Sequence, residues 1–256
     1  VMKFGGTSVA NIDRIKNVAN IIENKKKEGF KIAVIVSAMA GVTNDLVEKS
    51  KAISGNFSHR EYDVLLSSGE QVTSALLSAC LIDKGIKARS MLGWQIPIVT
   101  EGQHKNSRIV SVNSKSILEY LNDDHVVVVP GFQGISEKLR ISTIGRGGSD
   151  ASAVALAKAL VNLNIHVDLI SQKKNIKINE NRTIGISENN IEYFNNHIIN
   201  IEKIIWKLKK IEILSENLND EKLLIFEDNK KYLFSIIKNS KLHQILEKNL
   251  LKNKFF

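Results

Sequence analysis

Two kinds of apolar pattern alternate along the chain. One is short and almost unbroken: Lys31–Val36 (KIAVIV) and His125–Val129 (HVVVV). Runs like these predict strands buried on both faces, as in parallel sheets. Val1–Phe4, Ile86–Leu92 and Arg140–Ile144 read as further strands. The other pattern repeats every three or four positions. Ile12, Ile15, Val18, Ala19 and Ile22 predict a helix over Asn11–Lys27, ended by its basic last turn and Glu28-Gly29. Helices are also predicted over Asp45–Ser54, in a segment that His59–Asp63 leads into, over an apolar stretch that Ser67–Ser74 leads into and that ends near Lys84-Gly85, and over Ala151–Leu160. Strand and helix in alternation predict an α/β fold, a mainly parallel central sheet sandwiched by helices.

The connections carry the chemistry. Lys3-Phe4-Gly5-Gly6-Thr7-Ser8, Ser37–Asn44, Ser67–Ser74, Pro130–Gly134 and Gly145–Asp150 are rich in glycine and hydroxyls. Each reads as a turn after a strand and before a helix, and such turns gather at one sheet edge, where ligands bind. Gly5 and Gly6 lack Cβ, so backbone N–H groups can come close to a ligand. With a helix N-terminus following, they make an anion site, and Lys3 adds a compact positive charge. A polyphosphate suits that combination; the plain alternative is an ordinary turn beside a surface lysine.

Composition narrows the classes. The chain has 256 residues, 43% hydrophobic and 25% charged, as expected of one large globular domain or two modest ones. The net charge is +9, but its lysines are scattered, without an Arg-rich run or aromatic–basic interleaving, so no nucleic-acid partner is expected. No apolar run is read as approaching the roughly 18 residues of a membrane span, and the chain opens on a strand, so neither membrane nor signal peptide is expected. The single cysteine, Cys80, excludes an internal disulfide framework, fits a cytosolic setting and reads as a small buried hydrophobe. His104 reads as a surface histidine with no second metal ligand near, and Trp94 as a core residue or pocket wall. No metal site is expected from the protein itself.

KFGGTS, SAMAGVTN, SSGEQVTSALL, GFQG and TIGRGGSD stand in that order within residues 1–160, with ARSMLGWQIPI (88–98) and HKNSRI between them. Together they resemble the aspartate kinases of the amino-acid kinase family. The resemblance implies an amino-acid kinase fold and phosphoryl transfer from MgATP to the side-chain carboxylate of L-aspartate, with ATP and Mg2+ as cofactors. That carboxylate is already a nucleophile, so the work is positioning and charge neutralisation, without a general base. Carried onto this sequence, Lys3 would contact the transferring phosphates, and Phe4, Gly5, Gly6 and Thr7 would form the phosphate loop. Ser37 would meet the nucleotide and Thr43 the amino acid. Glu70 would take the substrate ammonium and Arg146 a substrate carboxylate. Gly147, Gly148 and Ser149 would direct N–H groups at substrate and nucleotide, and Asp150 would cap the helix or orient Lys3. The bland readings stay open: Glu70 on a helix surface, Arg146 on a structural carboxylate, Ser37 and Thr43 as turn-formers, Asp150 as a first-turn residue.

After Leu160 the composition changes. Residues 161–256 hold one glycine, Gly185, and neither alanine nor proline. The resemblance implies a strand followed by an acidic, glycine-bearing nucleotide motif of the type TDVDGVYTTDPR. Val167–Arg182 can be laid on it, keeping Ser171 and Arg182, but Gln172, Lys174 and Asn175 replace the aspartates and the glycine. A second placement makes LNIHVDLISQ the junction of a regulatory ACT module. The expected domains are 1–160, the catalytic lobe, and 161–256, a truncated or divergent C-terminal nucleotide lobe with a possible ACT-like remnant. Without room for the usual pair of ACT modules, ordinary lysine or threonine inhibition is expected to be absent. IEYFNNHIINIEKIIWKLKK reads as amphipathic helix, KLLIFE and KYLFSII as strands. The rival functions are a non-catalytic, aspartate-binding subunit paired with a complete kinase, and a kinase for another small acid such as glutamate. A homo-oligomer or a pairing with a related kinase subunit is expected.

Overall fold

The unbroken apolar strands are buried on both faces because helices cover both sides of one parallel sheet. The computed structural model describes residues 1–145, 147–163, 182–214, 222–227 and 232–252. These fall into two compact units, the first within 1–163 and the second within 182–252.

In the first unit the sheet contains β1 (Met2–Phe4), β2 (Ala33–Val36), β3 (Ala88–Ser90) and β6 (Val126–Pro130), in the order β1-β2-β6-β3 with every pair parallel. Side chains alternate between its faces. Val34, Val36, Val126 and Val128 pack with α1 (Ile12–Lys27) and α3 (His59–Asp83), while Ala33, Ile35, Val127 and Val129 pack with α4 (Lys115–Asn122) and α5 (Gly148–Val161). A second sheet, β5-β4-β7-β8, is built from β4 (Ile98–Glu101), β5 (Arg108–Val112), β7 (Gln133–Ser136) and β8 (Ile141–Thr143). α2 (Val42–Ile53) lies between β2 and α3 in the chain.

Register lines up the strand ends. Phe4 pairs with Val36, and Val36 with Pro130. The next N–H groups continue the row: Ser37 N donates to Phe4 O at 3.1 Å and Gly131 N to Val36 O at 2.9 Å. Three of the glycine- and hydroxyl-rich turns therefore leave the sheet side by side.

Several expectations need correction. SSGEQVTS is not a turn; it lies inside α3. Gly69 sits there because any Cβ would come within 2.9 Å of the Ala38 Cβ, and the helix hydroxyls are satisfied by its own carbonyls, as with Thr73 to Gly69 O at 3.2 Å. Among the described helices, α3 alone is long and apolar enough, by length and composition, to cross a membrane; its buried face, with Asp63, Ser67, Glu70, Thr73 and Ser74, packs inside the unit, so the expectation of no membrane span is not overturned. GFQG is half strand, since β7 starts at Gln133. Trp94, expected in the core or a pocket wall, is 40% exposed.

The second unit contains β9 (Thr183–Ile186), α6 (Glu188–His197), β10 (Ile205–Leu208), β11 (Lys210–Leu214), β12 (Lys222–Glu227), β13 (Phe234–Lys238) and α7 (Asn239–Leu250). β13 pairs antiparallel with both β10 and β9, and β11 with β12. The stretch IIWKLKK, expected as helix, holds β10 over Ile205–Leu208 and the first residue of β11, Lys210. KLLIFE and part of KYLFSII are strands as expected.

Candidate active site

At the strand ends of the first unit, Lys3 Nζ meets Asp150 Oδ1 at 2.7 Å. Lys3 is the middle residue of β1, and Asp150 lies in the first turn of α5. The helix beside Lys3 is thus α5. α1 starts only at Ile12 behind its Asn11 cap, after the chain has turned with Ser8 N on Gly5 O at 2.8 Å. Gly147, at φ 76°, is the N-cap of α5 and offers no side-chain cap, so Asp150 is not the capping residue. Gly148 opens the helix because a Cβ there would lie 2.8 Å from the Phe132 ring.

The neighbouring turn joins this pair. Ser37 Oγ bonds to Ser149 Oγ at 2.9 Å. A Cβ on Gly131 would lie 2.7 Å from the Ser149 Cβ, and one on Gly6 would lie 2.9 Å from Ala38 O. A Cβ on Gly5 would lie 3.3 Å from Lys3 Nζ, so the lysine amine hangs over the glycine turn. Phe4 packs its ring into the core, and Thr7 is exposed in the turn.

Glu70 reaches the same turn from inside α3. Ala38 N donates to its Oε1 at 3.1 Å, while Oε2 is buried with no hydrogen-bond partner. Glu70 is only 5% exposed, which overturns the helix-surface reading. Burial pushes its carboxyl up to about 7, with the Ala38 N–H opposing that rise. A buried, half-satisfied carboxylate suits a cationic ligand group.

Thr43, in the first turn of α2, lines a cavity of about 510 Å³ with Tyr62, Leu66, Lys105, Phe132 and Thr143. Phe132 connects the two places, since it walls the cavity and abuts the start of α5. Phe132 holds a positive φ of 67°, uncommon for a bulky residue, with its N–H on Ser152 Oγ at 3.2 Å and its carbonyl accepting from Ile144 N at 2.8 Å. Arg146 lies outside the described residues. So do Ser171, Gln172, Lys174 and Asn175, with most of the segment laid on the nucleotide motif.

Sequence reading missed Asp63, fully buried on α3. A signal was available: Asp63, Glu70 and Leu77 recur at heptad spacing on one stripe of that helix. His104, expected on the surface, is half-buried with Nδ1 2.6 Å from Asp63 Oδ2. Cys80 is half-buried beside the α1–α3 core. Among the described residues no group of three or more His, Cys, Asp or Glu is placed to hold a metal ion.

The amino acid kinase family matches residues 1–161 of the chain. The chain belongs to that family. Over 160 residues it is 50% identical to an aspartokinase of Geobacillus stearothermophilus and 49% identical to aspartokinase 2 of Bacillus subtilis, covering 62% of this chain and 39% of each relative. It therefore spans about two fifths of the length of the curated relatives it matches. Among solved structures it resembles aspartate kinase from Synechocystis, at 48% identity and TM-score 0.54, covering 62% of this chain and 26% of that one. It also resembles E. coli aspartokinase III in complex with aspartate and ADP, at 25% identity and TM-score 0.55, covering 62% and 46%. The first unit thus has the expected α/β fold of that family, a parallel sheet between helices.

Proposed function

We propose that this amino acid kinase is an aspartate kinase. It would transfer the γ-phosphoryl group of MgATP to the side-chain carboxylate of L-aspartate, giving 4-phospho-L-aspartate, the first step toward lysine, threonine and methionine, in the cytoplasm. The observation that carries the reading is the Lys3–Asp150 pair over the glycine turn, with the unpaired Glu70 oxygen in the adjoining turn. The aspartokinase relatives support the choice of substrate.

One carboxylate oxygen of aspartate attacks phosphorus, and the bond to the β–γ bridging oxygen breaks. Negative charge grows on the leaving phosphate, and Lys3 lies beside that charge. Asp150, at 2.7 Å, orients the Lys3 amine. Phe4, Gly5, Gly6 and Thr7 supply the backbone turn around the phosphates, and Ser37 and Ser149 hold the nucleotide side. Glu70 takes the substrate ammonium, Thr43 touches the amino acid, and Arg146 grips a carboxylate in the manner of a bidentate guanidinium. Gly147 and Gly148 contribute the helix start. Mg2+ would arrive on the phosphates, as is usual for kinases, rather than on a protein cage. Residues 1–160 form the catalytic lobe in this reading, and 161–256 a divergent lobe. In the latter, β9-α6-β10 with β13 between its strands is a split β-α-β arrangement, which supports an ACT-like remnant.

The test is aspartate-dependent ADP release by the purified chain, against a panel including glutamate. Lys3→Ala should lower kcat/KM by about a thousandfold with an unchanged circular dichroism spectrum. Wild-type turnover in that variant would remove Lys3 from the chemistry. A second reading, an aspartate-binding subunit that pairs with a complete kinase, is favoured by Gln172, Lys174 and Asn175 in place of the acidic motif. Aspartate binding with no measurable MgATP binding would select it.

A further inference from the structure

Asp63 is fully buried, and the proposed mechanism leaves it unused. Its two oxygens gather donors from separate stretches of chain. Thr143 Oγ1, at the end of β8, donates to Oδ1 at 2.6 Å. Lys105 N, in the connection between β4 and β5, donates to Oδ1 at 3.0 Å and Oδ2 at 3.3 Å. His104 Nδ1 lies 2.6 Å from Oδ2. Lys105 is held at φ 72°, a left-handed conformation uncommon for a lysine.

The consequences reach the cavity. In that conformation Lys105 Nζ stands 4.1 Å from the centroid of the Tyr62 ring, and Lys105, Tyr62 and Thr143 line the cavity together with Thr43. The same connection also seats against the chain leading to α5: Ser107 N donates to Thr143 O at 3.0 Å, and a Cβ on Gly145 would fall 2.2 Å from Asn106 Oδ1.

We propose that Asp63 is a positioning residue: as a shared acceptor for Thr143, Lys105 and His104, it sets the wall of the cavity that takes the amino-acid substrate beside Thr43. The substrate half of this statement rests on the aspartate kinase reading. The clamp half does not.

The experiment measures amide hydrogen exchange and L-aspartate affinity by calorimetry, in the full chain. Asp63→Ala should speed exchange at the Lys105 amide by about tenfold or more, leaving the Leu77 and Leu81 amides of the same helix unchanged. It should weaken aspartate binding by about tenfold through the displaced wall. Asp63→Asn keeps one oxygen for Thr143 and Lys105 and offers an N–H to a neutral imidazole nitrogen, so it should restore both readouts to within about threefold of wild type. His104→Ala removes only the partly exposed partner, and keeps the test decisive if Asp63→Ala does not fold: it should speed Lys105 exchange by about threefold. Unchanged Lys105 exchange in either alanine variant, or acceleration spread evenly along α3, overturns the proposal. If the wild-type chain binds no aspartate, the aspartate reading fails, and the exchange results alone decide the role of Asp63.

Discussion

The two units of the chain use glycine and apolar residues in opposite ways. All but one of the 15 glycines precede residue 161. Within the first unit several are demanded by their surroundings: a Cβ on Gly6, Gly69, Gly131, Gly134 or Gly148 would fall within 3.0 Å of a neighbour. In the second unit, a Cβ on Gly185 would meet the Phe234 ring at an ordinary 3.4 Å. The strands differ likewise. β2 and β6 are buried at every position, while β9 is buried at one of its four residues. The first unit is packed tightly enough to hold side chains in fixed geometry, which the proposed phosphoryl transfer would require. In the second, the buried cluster among the described residues comprises Ile186, Ile191, Ile201 and Ile237.

The sharpest way to break this contrast is a single methyl group. Gly134 sits in β7, where a Cβ would stand 2.5 Å from Ile98 O and from the Thr100 Cγ2. Neither neighbour is the far end of a flexible side chain. Gly134→Ala should cost about 4 kcal/mol, read by urea denaturation, because strand β4 must shift to admit it. Gly185→Ala should stay within about 0.5 kcal/mol. Equal costs would mean that the second unit is packed as closely as the first.

A smaller effect comes from the acid buried in the first unit. Folding raises the Glu70 carboxyl from its ordinary value of 4.5 to about 7, chiefly by desolvation. Between those two values the folded chain keeps a proton that the unfolded chain has released. Stability therefore falls as pH rises through that window, and the cost is complete above about 7. For a shift of this size it amounts to about 2 to 3 kcal/mol between pH 5 and pH 8. Glu70→Gln, whose amide oxygen still accepts from Ala38 N, should lack this component when the two proteins are compared by urea denaturation. Saturating aspartate should shrink the difference, since an ammonium beside Oε2 favours the ionised carboxylate. A wild-type chain as stable as Glu70→Gln at both pH values would mean that the carboxylate is solvated.

Much of the fold was legible because doubly buried strands leave an unmistakable mark. KIAVIV and HVVVV have no polar face to hide, and the helix of Asn11–Lys27 shows its stripe plainly. The grouping of Lys3, Ser37, Ser149 and Asp150 was also legible, since turns at the carboxyl ends of parallel strands must gather at one edge. SSGEQVTS misled because glycine and hydroxyls mark turns by local chemistry, whereas here they mark a helix pressed against the turn carrying Ala38. Propensity lost to tertiary contact. IIWKLKK misled for another reason: its apolar spacing fits a helix as well as a strand, and pairing with β13 decides. Asp63 was hidden because the partners that make it informative, His104, Lys105 and Thr143, are distant in sequence.

The smallest expected effect probes the second unit. In β12, the consecutive residues Leu224, Ile225 and Phe226 are 54%, 51% and 49% exposed. Consecutive strand residues point to opposite faces, so neither face of the β11–β12 pair is a closed core. Ile225→Thr keeps the β-branch that strands favour and should change stability by no more than about 0.5 kcal/mol. Ile237→Val, at a fully buried position in β13, should cost about 1 kcal/mol in the same unit. If Ile225→Thr cost as much as Ile237→Val, the hairpin would have to be covered in solution by something that buries it, and the contrast between a dense first unit and a lightly packed second one would weaken at that point.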